Sequence, residues 1–198
     1  FSAMKCAVNM AFANRQVILH RIREVFSHHF QKSQSELGMD QVYDVAHNIA
    51  KLDTHRVDGR DRPLLVQRKG ATRAFAPGMA GIPEAYQVTG QPVIIGGSME
   101  TGSYLLAGTK AAEETFYSTA HGSGRRMSRT KARKEFQGTE LKESMERKGI
   151  YVHTASYSGL AEEAGAAYKN IDDVTLATEL SGISKRVARF IPIGNIKG

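Results

Sequence analysis

Apolar residues at helical spacing dominate the first 30 residues of the chain. Between Met4 and Phe30 they recur every three or four positions, and most of the lysines and arginines fall on other faces. This period is typical of an amphipathic α-helix, and it predicts one long helix over Met4 to Phe30. The helical pattern begins at once after Phe1-Ser2-Ala3, without an initiator methionine or a capping turn. We therefore expect the chain to be a fragment of a longer protein.

Short apolar runs separated by turn residues follow the helix and predict β-strands. The run from Gln41 to Lys51 indicates a strand that ends near His47 and Asn48. Val57-Asp58-Gly59-Arg60 is a turn signal ahead of a second strand, Leu64 to Gln67. After an irregular loop, two further strands are expected, at Pro92 to Ile95 and Tyr104 to Leu106.

The last third of the chain alternates between helical and extended patterns, with Gly138 and Gly149 as breaks. A terminal strand over Val187 to Ile196 contains Pro192, which favours the edge of a sheet. With no internal repeat and no long linker, we predict an α+β fold: a compact mixed-sheet core with flanking helices in a single domain. The other expected elements are helices at Lys131 to Glu135, Thr139 to Lys148, Ala161 to Tyr168 and Val174 to Leu180, and a strand at Ile150 to His153.

Composition narrows the class of protein. With 198 residues and 41% hydrophobic content the chain is able to bury a core, which excludes a disordered protein. The 27 lysines and arginines exceed the 20 acidic residues, and the net charge of +7 favours anionic partners such as RNA or nucleotides. A single cysteine, Cys6, cannot form an internal disulfide. There is also no signal-peptide pattern and no apolar run of about 20 residues, so we expect a cytoplasmic protein without a membrane partner.

The segment Ser118 to Arg129 reads S-T-A-H-G-S-G-R-R-M-S-R and places a lone histidine, His121, before a Gly-x-Gly turn. Such a turn lets successive backbone N–H groups converge on an anion. Hydroxyl and arginine side chains on both sides suit phosphate. A neutral imidazole in this setting is able to attack phosphorus as a nucleophile. The alternatives are an incidental histidine in an exposed loop or a phosphohistidine carrier.

Other polar stretches extend this picture. Arg125 to Lys134 carries six basic residues and no acid, which is typical of a solvated face or of a surface along a nucleic-acid backbone. The basic turn Arg68 to Phe75 and the glycine and hydroxyl loop Gly96 to Ser103 are two more anion-friendly turns. His47, beside Asn48, is either structural or a metal ligand. A metal site needs about three or four protein ligands, so its other ligands would have to come from elsewhere in the fold.

Six ordered strings of the sequence closely resemble the C-terminal half of the RtcB family of tRNA-splicing RNA ligases. The resemblance covers essentially the whole chain, so it is far more specific than any single string. The strings are Y-D-V-A-H-N-I-A-K, R-K-G-A-T-R-A-F, G-Q-P-V-I-I-G-G-S-M, T-A-H-G-S-G-R-R-M-S-R, A-E-E-A-G-A-A-Y-K and the terminal I-K-G.

The resemblance implies an activity with defined cofactors. Members of the family use GTP and manganese to join an RNA 3′-phosphate or 2′,3′-cyclic phosphate to a 5′-hydroxyl, in tRNA splicing or RNA repair. A histidine carries GMP as a covalent intermediate. The implied partners of this chain are therefore GTP and RNA, either tRNA halves or other broken RNA. A non-catalytic module that binds nucleotide or RNA is the alternative.

The resemblance also implies roles for particular residues. His121 is the implied nucleophile, His47 a manganese ligand and nucleotide neighbour, and Arg125 and Arg129 are holders of a triphosphate or RNA phosphate. The other implied GTP-binding residues are Asn48, Gly96, Gly97, Ser98, Met99, Ser103, Gly122, Ser123, Gly124, Tyr168 and Lys197.

The chain departs from the family pattern in two ways. Ala120 stands where members have cysteine, and Ser123 and Glu100 stand where members often have alanine or glycine, so Glu100 adds negative charge near a phosphate loop. The family's other manganese ligands lie in an N-terminal half that this sequence does not contain, and Cys6 does not match their cysteine motif. We therefore expect the 198-residue chain alone to be inactive.

Overall fold

Helices and short strands share the chain, which confirms the α+β class. The computed structural model describes residues 1–197, apart from the side chain of Lys197. The helices are α1 Ser2–Phe30, α2 Arg129–Glu135, α3 Gly138–Arg147, α4 Tyr157–Glu162 and α5 Ile171–Leu180. The strands are β1 Asn48–Val57, β2 Arg60–Lys69, β3 Ala71–Arg73, β4 Pro92–Gly96, β5 Ser103–Gly108, β6 Ser118–Ala120, β7 Tyr151–Thr154, β8 Ser184–Phe190 and β9 Gly194–Lys197.

Contacts divide the chain into two compact units. Unit 1 is Phe1–Thr72 and unit 2 is Arg73–Gly198. The expectation that both belong to one catalytic domain stays a prediction. No helix among the described residues is long and apolar enough to cross a membrane.

Unit 1 contains the long helix, as predicted, and a hairpin at the predicted turn, whose second strand is longer than the expected Leu64 to Gln67. Helix α1 ends at Gln31, whose φ of 52° is left-handed, and none of its residues is buried. Strands β1 and β2 pair antiparallel over their whole length, with Val57 opposite Arg60. The Asp58-Gly59 turn between them has φ values of 51° and 73°. Two consecutive positive φ angles are what a tight hairpin needs, which is why the Asp-Gly pair predicted it.

The strand predicted over Gln41 to Lys51, with its end near His47 and Asn48, is wrong in its bounds, because β1 begins at Asn48 and runs to Val57. The segment before it makes side-chain contacts with α1 instead of a backbone ladder. Arg15 Nε donates to Asp44 at 2.6 Å, and Gln16 donates to Gln41 at 2.9 Å. An apolar run without a partner strand does not become a strand.

Unit 2 contains an antiparallel sheet in the order β4-β5-β8. Strands β4 and β5 were predicted correctly, and their register places Gly96 opposite Ser103 at one end and Pro92 opposite Ala107 at the other. Alternate side chains of this sheet point into an apolar core. That core comprises Ala74, Val93, Ile95, Tyr104, Leu106 and Ile171.

A second core lies among α3, α4 and β7 of the same unit. Its fully buried members include Met145 of α3 and Leu160 of α4. Val152 of β7 adds the alternate, inward-facing position of a short strand. The predicted helices α2 and α3 and the predicted strand β7 are all present, within a residue or two of the expected bounds.

Two predictions for the last third were wrong. The helix expected over Ala161 to Tyr168 starts earlier, at Tyr157, because the Ser156 hydroxyl accepts from Gly159 N–H and caps it. The helix also ends earlier, at Glu162, and Tyr168 follows a 3-10 turn over Gly165–Ala167 as an extended residue, with φ −113° and ψ 158°.

The terminal strand over Val187 to Ile196 is in fact two strands in different sheets. Strand β8 forms the edge of the three-stranded sheet, whereas β9 pairs in parallel with β7. Pro192, which lacks an N–H, lies in the break between them.

Candidate functional site

The predicted nucleophile loop, His121 to Gly124, follows directly after β6 in unit 2. Gly122 forms a parallel bridge with Gly96, and Ser123 N–H donates to the Gly96 carbonyl at 2.8 Å. A Cβ atom on Gly122 would lie 3.3 Å from that carbonyl oxygen, so glycine suits this close approach. His121 is exposed beside the junction. The fold thus joins two glycine loops that are separate in the sequence.

The second loop, Gly96 to Ser103, is held closed by its own polar groups. Gly97 N–H donates to the Gly102 carbonyl at 2.8 Å, and Ser98 N–H donates to Thr101 Oγ1 at 2.9 Å. A Cβ atom on Gly97 would lie 2.6 Å from the Gly102 oxygen, which only glycine avoids. The Ser98 hydroxyl also lies 3.1 Å from Thr101 Oγ1. Ser98 therefore stabilises the loop as well as being a candidate ligand contact.

Met99 anchors this loop to the second core. Its side chain is buried with Met145 and Leu160, and its carbonyl oxygen accepts from Asn195 Nδ2 at 3.1 Å. If Met99 contacts a nucleotide, it therefore does so through its backbone, because its side chain is buried. Ser103, at the other end of the loop, is half-buried between Gly96 and Phe190 in the sheet.

Glu100 ties the same loop to the segment that carries Tyr168. Its Oε2 accepts from Gly165 N–H at 2.7 Å, and its Oε1 pairs with Lys148 Nζ at 3.1 Å. A Cβ atom on Gly165 would overlap the Glu100 carboxylate. The negative charge that departs from the family pattern is therefore matched inside the protein.

Tyr168 lies against Arg125 rather than standing alone. The two residues form an antiparallel bridge, and the guanidinium carbon lies 4.7 Å from the centre of the ring. Arg125 Nη1 donates to the Tyr168 hydroxyl at 2.9 Å, and that hydroxyl donates to Glu163. Burial, and next the hydrogen bond to Glu163, raise the pKa of Tyr168 above its ordinary value. The phenol is therefore neutral near pH 7 and its ring is held in one orientation.

Arg125 has its donors committed to the protein. Besides the Tyr168 hydroxyl, it donates to the carbonyls of Met127 at 3.1 Å and Glu162 at 2.6 Å. Its predicted role as a phosphate holder stays a prediction. The contacts favour a structural part, in which Arg125 positions Tyr168.

Glu162 forms ion pairs with two arginines of the basic segment, Arg129 and Arg133. It is buried, and its carboxylate accepts from Arg133 and lies 3.4 Å from Arg129 Nε. The side chain of Arg129 remains 69% exposed, so it is accessible to an anion. A segment that is uniformly basic in the sequence is partly neutralised by the fold.

Ser123 is the buried residue of the loop from His121 to Gly124. The residue is 3% exposed, and its Oγ is buried without a hydrogen-bond partner in the part of the chain that the structure describes. Buried hydroxyls usually have a partner, so Ser123 Oγ is an exception, but in this structure a ligand does not reach it. Gly124, with φ 75°, turns the chain directly after it.

The basic turn Arg68 to Phe75 is not a simple anion site. Arg68 is buried, with an Nη1 to Asp53 Oδ2 distance of 3.6 Å. Arg73 Nε donates to Gln91 at 2.9 Å, and its guanidinium lies over the Phe75 ring. Both arginines are part of the framework of their own units.

His47 and Asn48 lie in unit 1, where the chain enters β1. Both are exposed and line a hollow against α1 with Ala7, Ala11 and Arg15. Among residues 1–197, no group of three histidine, cysteine, aspartate or glutamate side chains is placed to hold a metal ion. The described residues therefore do not by themselves fit a manganese site, and His47 as a ligand stays a prediction.

Lys197, the remaining implied contact, has its side chain outside the described residues. Its backbone pairs in parallel with Thr154 in the β7–β9 sheet. Its role stays a prediction.

Sequence reasoning missed the carboxylates that organise the site. The Glu162 carboxylate pairs with Arg129 and Arg133, that of Glu163 lies near Arg125, and Glu100 braces the Gly96 loop. Arg133 and Glu162 are 29 positions apart, so no local pattern indicates their contact. The one available signal was Glu100, which departs from the family pattern at a loop position.

Comparison with known proteins identifies relatives of the whole chain. The sequence profile of the family described as tRNA-splicing ligase RtcB matches residues 1–198. The chain is 54% identical over 199 residues to the tRNA-splicing ligase RtcB of Archaeoglobus fulgidus and 53% identical over 199 residues to that of Methanococcus maripaludis. It is 52% identical over 199 residues to the protein of the same name from Pyrococcus abyssi.

Each match spans all of this chain but only part of the relative. The chain covers 41% of the Archaeoglobus protein, 42% of the Methanococcus protein and 22% of the Pyrococcus protein, in their C-terminal parts. Identity above half, over every motif from the first helix to the last strand, shows that the chain belongs to the RtcB family.

Proposed function

We propose that this chain forms part of a GTP- and manganese-dependent RNA ligase. The enzyme joins RNA ends with a 3′-phosphate or 2′,3′-cyclic phosphate to ends with a 5′-hydroxyl, through a GMP–histidine intermediate. One observation carries the proposal: in a member of the RtcB family, an exposed His121 lies on a glycine loop that is hydrogen-bonded to a second glycine loop.

His121 is the nucleophile of the first step. A neutral imidazole nitrogen attacks the α-phosphorus of GTP, an N–P bond forms, and the bond to the leaving pyrophosphate breaks. The GMP group then passes to the 3′-phosphate of one RNA, and the 5′-hydroxyl of the other RNA attacks the activated phosphorus and releases GMP. Because His121 is exposed, both a nucleotide and an RNA end are able to reach it.

Residues around His121 suit the nucleotide. The backbone N–H groups of Gly122 and Gly124 offer donors to phosphate oxygens. The Ser123 hydroxyl, which is buried in this structure, adds a donor only when the loop opens around the nucleotide. Tyr168, fixed by Arg125, offers a flat and partly apolar surface for the guanine base.

The manganese dependence rests on the resemblance, and its ligands have to come mainly from outside the residues described. His47 would supply one imidazole nitrogen, whereas a structural or catalytic metal site usually takes about three or four protein ligands. We therefore propose that the 198-residue chain alone does not form the adduct efficiently.

A chimera tests this proposal. The chain replaces the corresponding region of the 54% identical Archaeoglobus protein, and the product is incubated with α-labelled GTP and Mn²⁺. We expect a covalent GMP label on the chimera, background labelling with His121→Ala, and full labelling with His153→Ala, which alters an exposed histidine of β7. The mass of the modified peptide identifies the adduct, and ligation of labelled RNA ends measures the complete reaction.

Three results would contradict the proposal. Persistent GMP labelling of the His121→Ala chimera would remove His121 as the nucleophile, and a bare phosphate on His121 would favour the phosphohistidine carrier. Retained RNA affinity without any labelling would favour a non-catalytic binding module. Strong labelling of the 198-residue chain by itself would contradict only the proposal that it is inactive alone.

A further inference from the structure

Two basic side chains, Arg126 and Lys169, lie on the face opposite to the contact between Arg125 and Tyr168. Arg125 and Tyr168 form an antiparallel bridge, and on both sides of it the pairing continues: Lys169 N–H donates to the Gly124 carbonyl at 3.0 Å and Arg126 N–H to the Ala167 carbonyl at 2.8 Å. Successive side chains of extended backbone point to opposite faces. Arg126 and Lys169 therefore share the face opposite to Arg125 and Tyr168.

This opposite face opens into a groove along α5. Arg126 and Lys169 are exposed at its rim, and Asn170, the N-cap of α5, lies beside them. The groove is lined by Arg126, Lys169, Asn170, Asp173, Val174 and Ala177.

Arg126 and Lys169 differ from the neighbouring cations of the basic segment. Arg125 and Arg129 lie within ion-pair distance of Glu163 and Glu162, and Arg133 pairs with Glu162 as well. In the part of the chain that the structure describes, no ion pair or hydrogen bond engages the Arg126 or Lys169 side chain. Their charges are therefore available to a bound anion.

Lys169, at the rim of the groove, also lies beside the His121 to Gly124 loop. A Cβ atom on Gly124 would lie 4.0 Å from Lys169 Cδ, so the stem of this lysine runs beside the turn that follows His121. An RNA strand whose end lies at His121 therefore has Lys169 close to the loop that carries this histidine.

We propose that Arg126 and Lys169 bind the phosphodiester backbone of single-stranded RNA next to its reactive end. The inference rests on the proposed function, because it takes the RNA end to lie at His121. Exposed, flexible cations without base-reading partners hold phosphates irrespective of sequence, so this groove positions the strand and does not select it.

Asp173 is the one carboxylate of the groove. It lies in the first turn of α5, where a negative charge complements the helix dipole. It also reduces the positive charge that an RNA phosphate meets. Asp173→Asn is therefore expected to tighten RNA binding by about two- to threefold.

RNA binding by the 198-residue chain tests the groove. Fluorescence anisotropy with a labelled 12-nucleotide single-stranded RNA gives Kd over a range of salt concentrations. Arg126→Glu with Lys169→Glu is expected to raise Kd about tenfold or more near 0.1 M salt. Arg126→Gln with Lys169→Gln removes the same two phosphate contacts without adding negative charge. We expect it to lower the slope of log Kd against log salt by about 1.4.

The matched control reverses the charge of two lysines at the far end of the β4-β5-β8 sheet. Lys110 and Lys185 are exposed, and Lys185 pairs with Ala107, at the opposite end of the sheet from Gly96 and Ser103. The double glutamate variant at these positions changes the net charge equally and is expected to leave the salt slope unchanged. Thermal unfolding checks that each variant is folded. If the double glutamate variant does not fold, the double glutamine variant tests the proposal.

Several outcomes would overturn the proposal. They are a wild-type chain that binds no RNA, an equal loss of affinity in the control, and a loss of affinity for a fluorescent GTP analogue instead of RNA. Failure of His121 labelling in the chimera would reject the ligase chemistry and leave the RNA binding data standing, so the two proposals fail separately.

Discussion

The two units of this protein are built in different ways. Unit 2 surrounds two apolar cores, whose members such as Leu106 and Leu160 are completely buried. In unit 1, among residues 1–72, the buried apolar side chains are Ala50 and Val66, and His55 and Arg68 are buried with them. Loops on a packed core hold their geometry, whereas a helix and a hairpin depend more on local signals. The loop from His121 to Gly124 lies in the well-packed unit.

Replacing a leucine with alanine is expected to show the largest difference in stability loss between the two units. Leu160→Ala in unit 2 removes a side chain that is 0% exposed, so it should lower the free energy of unfolding by about 2–5 kcal/mol. Leu52→Ala in unit 1 alters a residue that is 71% exposed and should change it by less than about 0.5 kcal/mol. Urea unfolding measures both, and hydrogen exchange locates the loss. Equal losses in the two variants would refute the difference in packing.

Glycine turns are expected to cost the same in both units, because they depend on local backbone geometry alone. Gly59 and Gly149 have φ values of 73° and 78°, and a Cβ atom on either would meet nothing within 4 Å. Alanine at each position should therefore cost about 1–2 kcal/mol of unfolding free energy. Asparagine should cost less, because it tolerates the left-handed region. Thermal unfolding of the four variants checks this, and a large difference between the two sites would indicate hidden packing.

Acidification is expected to produce the smallest difference. Burial is the main cause that lowers the pKa of His55 below its ordinary value; the charge of Asp53 opposes this shift and that of Arg68 adds to it. The unfolded histidine takes up its proton near pH 6.5 and the folded one only at lower pH. Stability is therefore present above about pH 6.5 and is lost as pH falls through the folded pKa.

Melting temperatures of the wild type and His55→Gln at pH 7 and pH 5 measure this effect. The variant should lose less stability on acidification than the wild type. His153→Gln, at an exposed position of unit 2, should behave like the wild type. A wild-type pH dependence that survives His55→Gln would assign it to other groups.

Local signals predicted those elements whose partners are close in sequence. Helix α1 followed from its apolar period, and the β1–β2 hairpin followed from the Asp58-Gly59 turn. Residues 41–47 were wrongly predicted as a strand, because an apolar run does not reveal whether a partner strand is available. The sequence likewise did not indicate that α4 is capped at Ser156 and ends at Glu162, or that Tyr168 is extended against Arg125.

The candidate site shows the same division. Its glycine and hydroxyl loops were predictable, since positive φ and close backbone approach demand particular residues. Which cations remain available was not predictable. Arg125, Arg129 and Arg133 look like Arg126 in the sequence, and only the position of Glu162 and Glu163 distinguishes them.

The sequence by itself determined the family, the α+β class and the identity of the loop around His121, because these depend on residue types at fixed spacing. The tertiary structure alone decided that Gly122 meets Gly96, that Glu100 braces the loop at Gly165, and that Arg126 and Lys169 share an open face. These contacts join residues far apart along the chain. Their free energy comes from burial and charge pairing in the folded state, which no local pattern encodes.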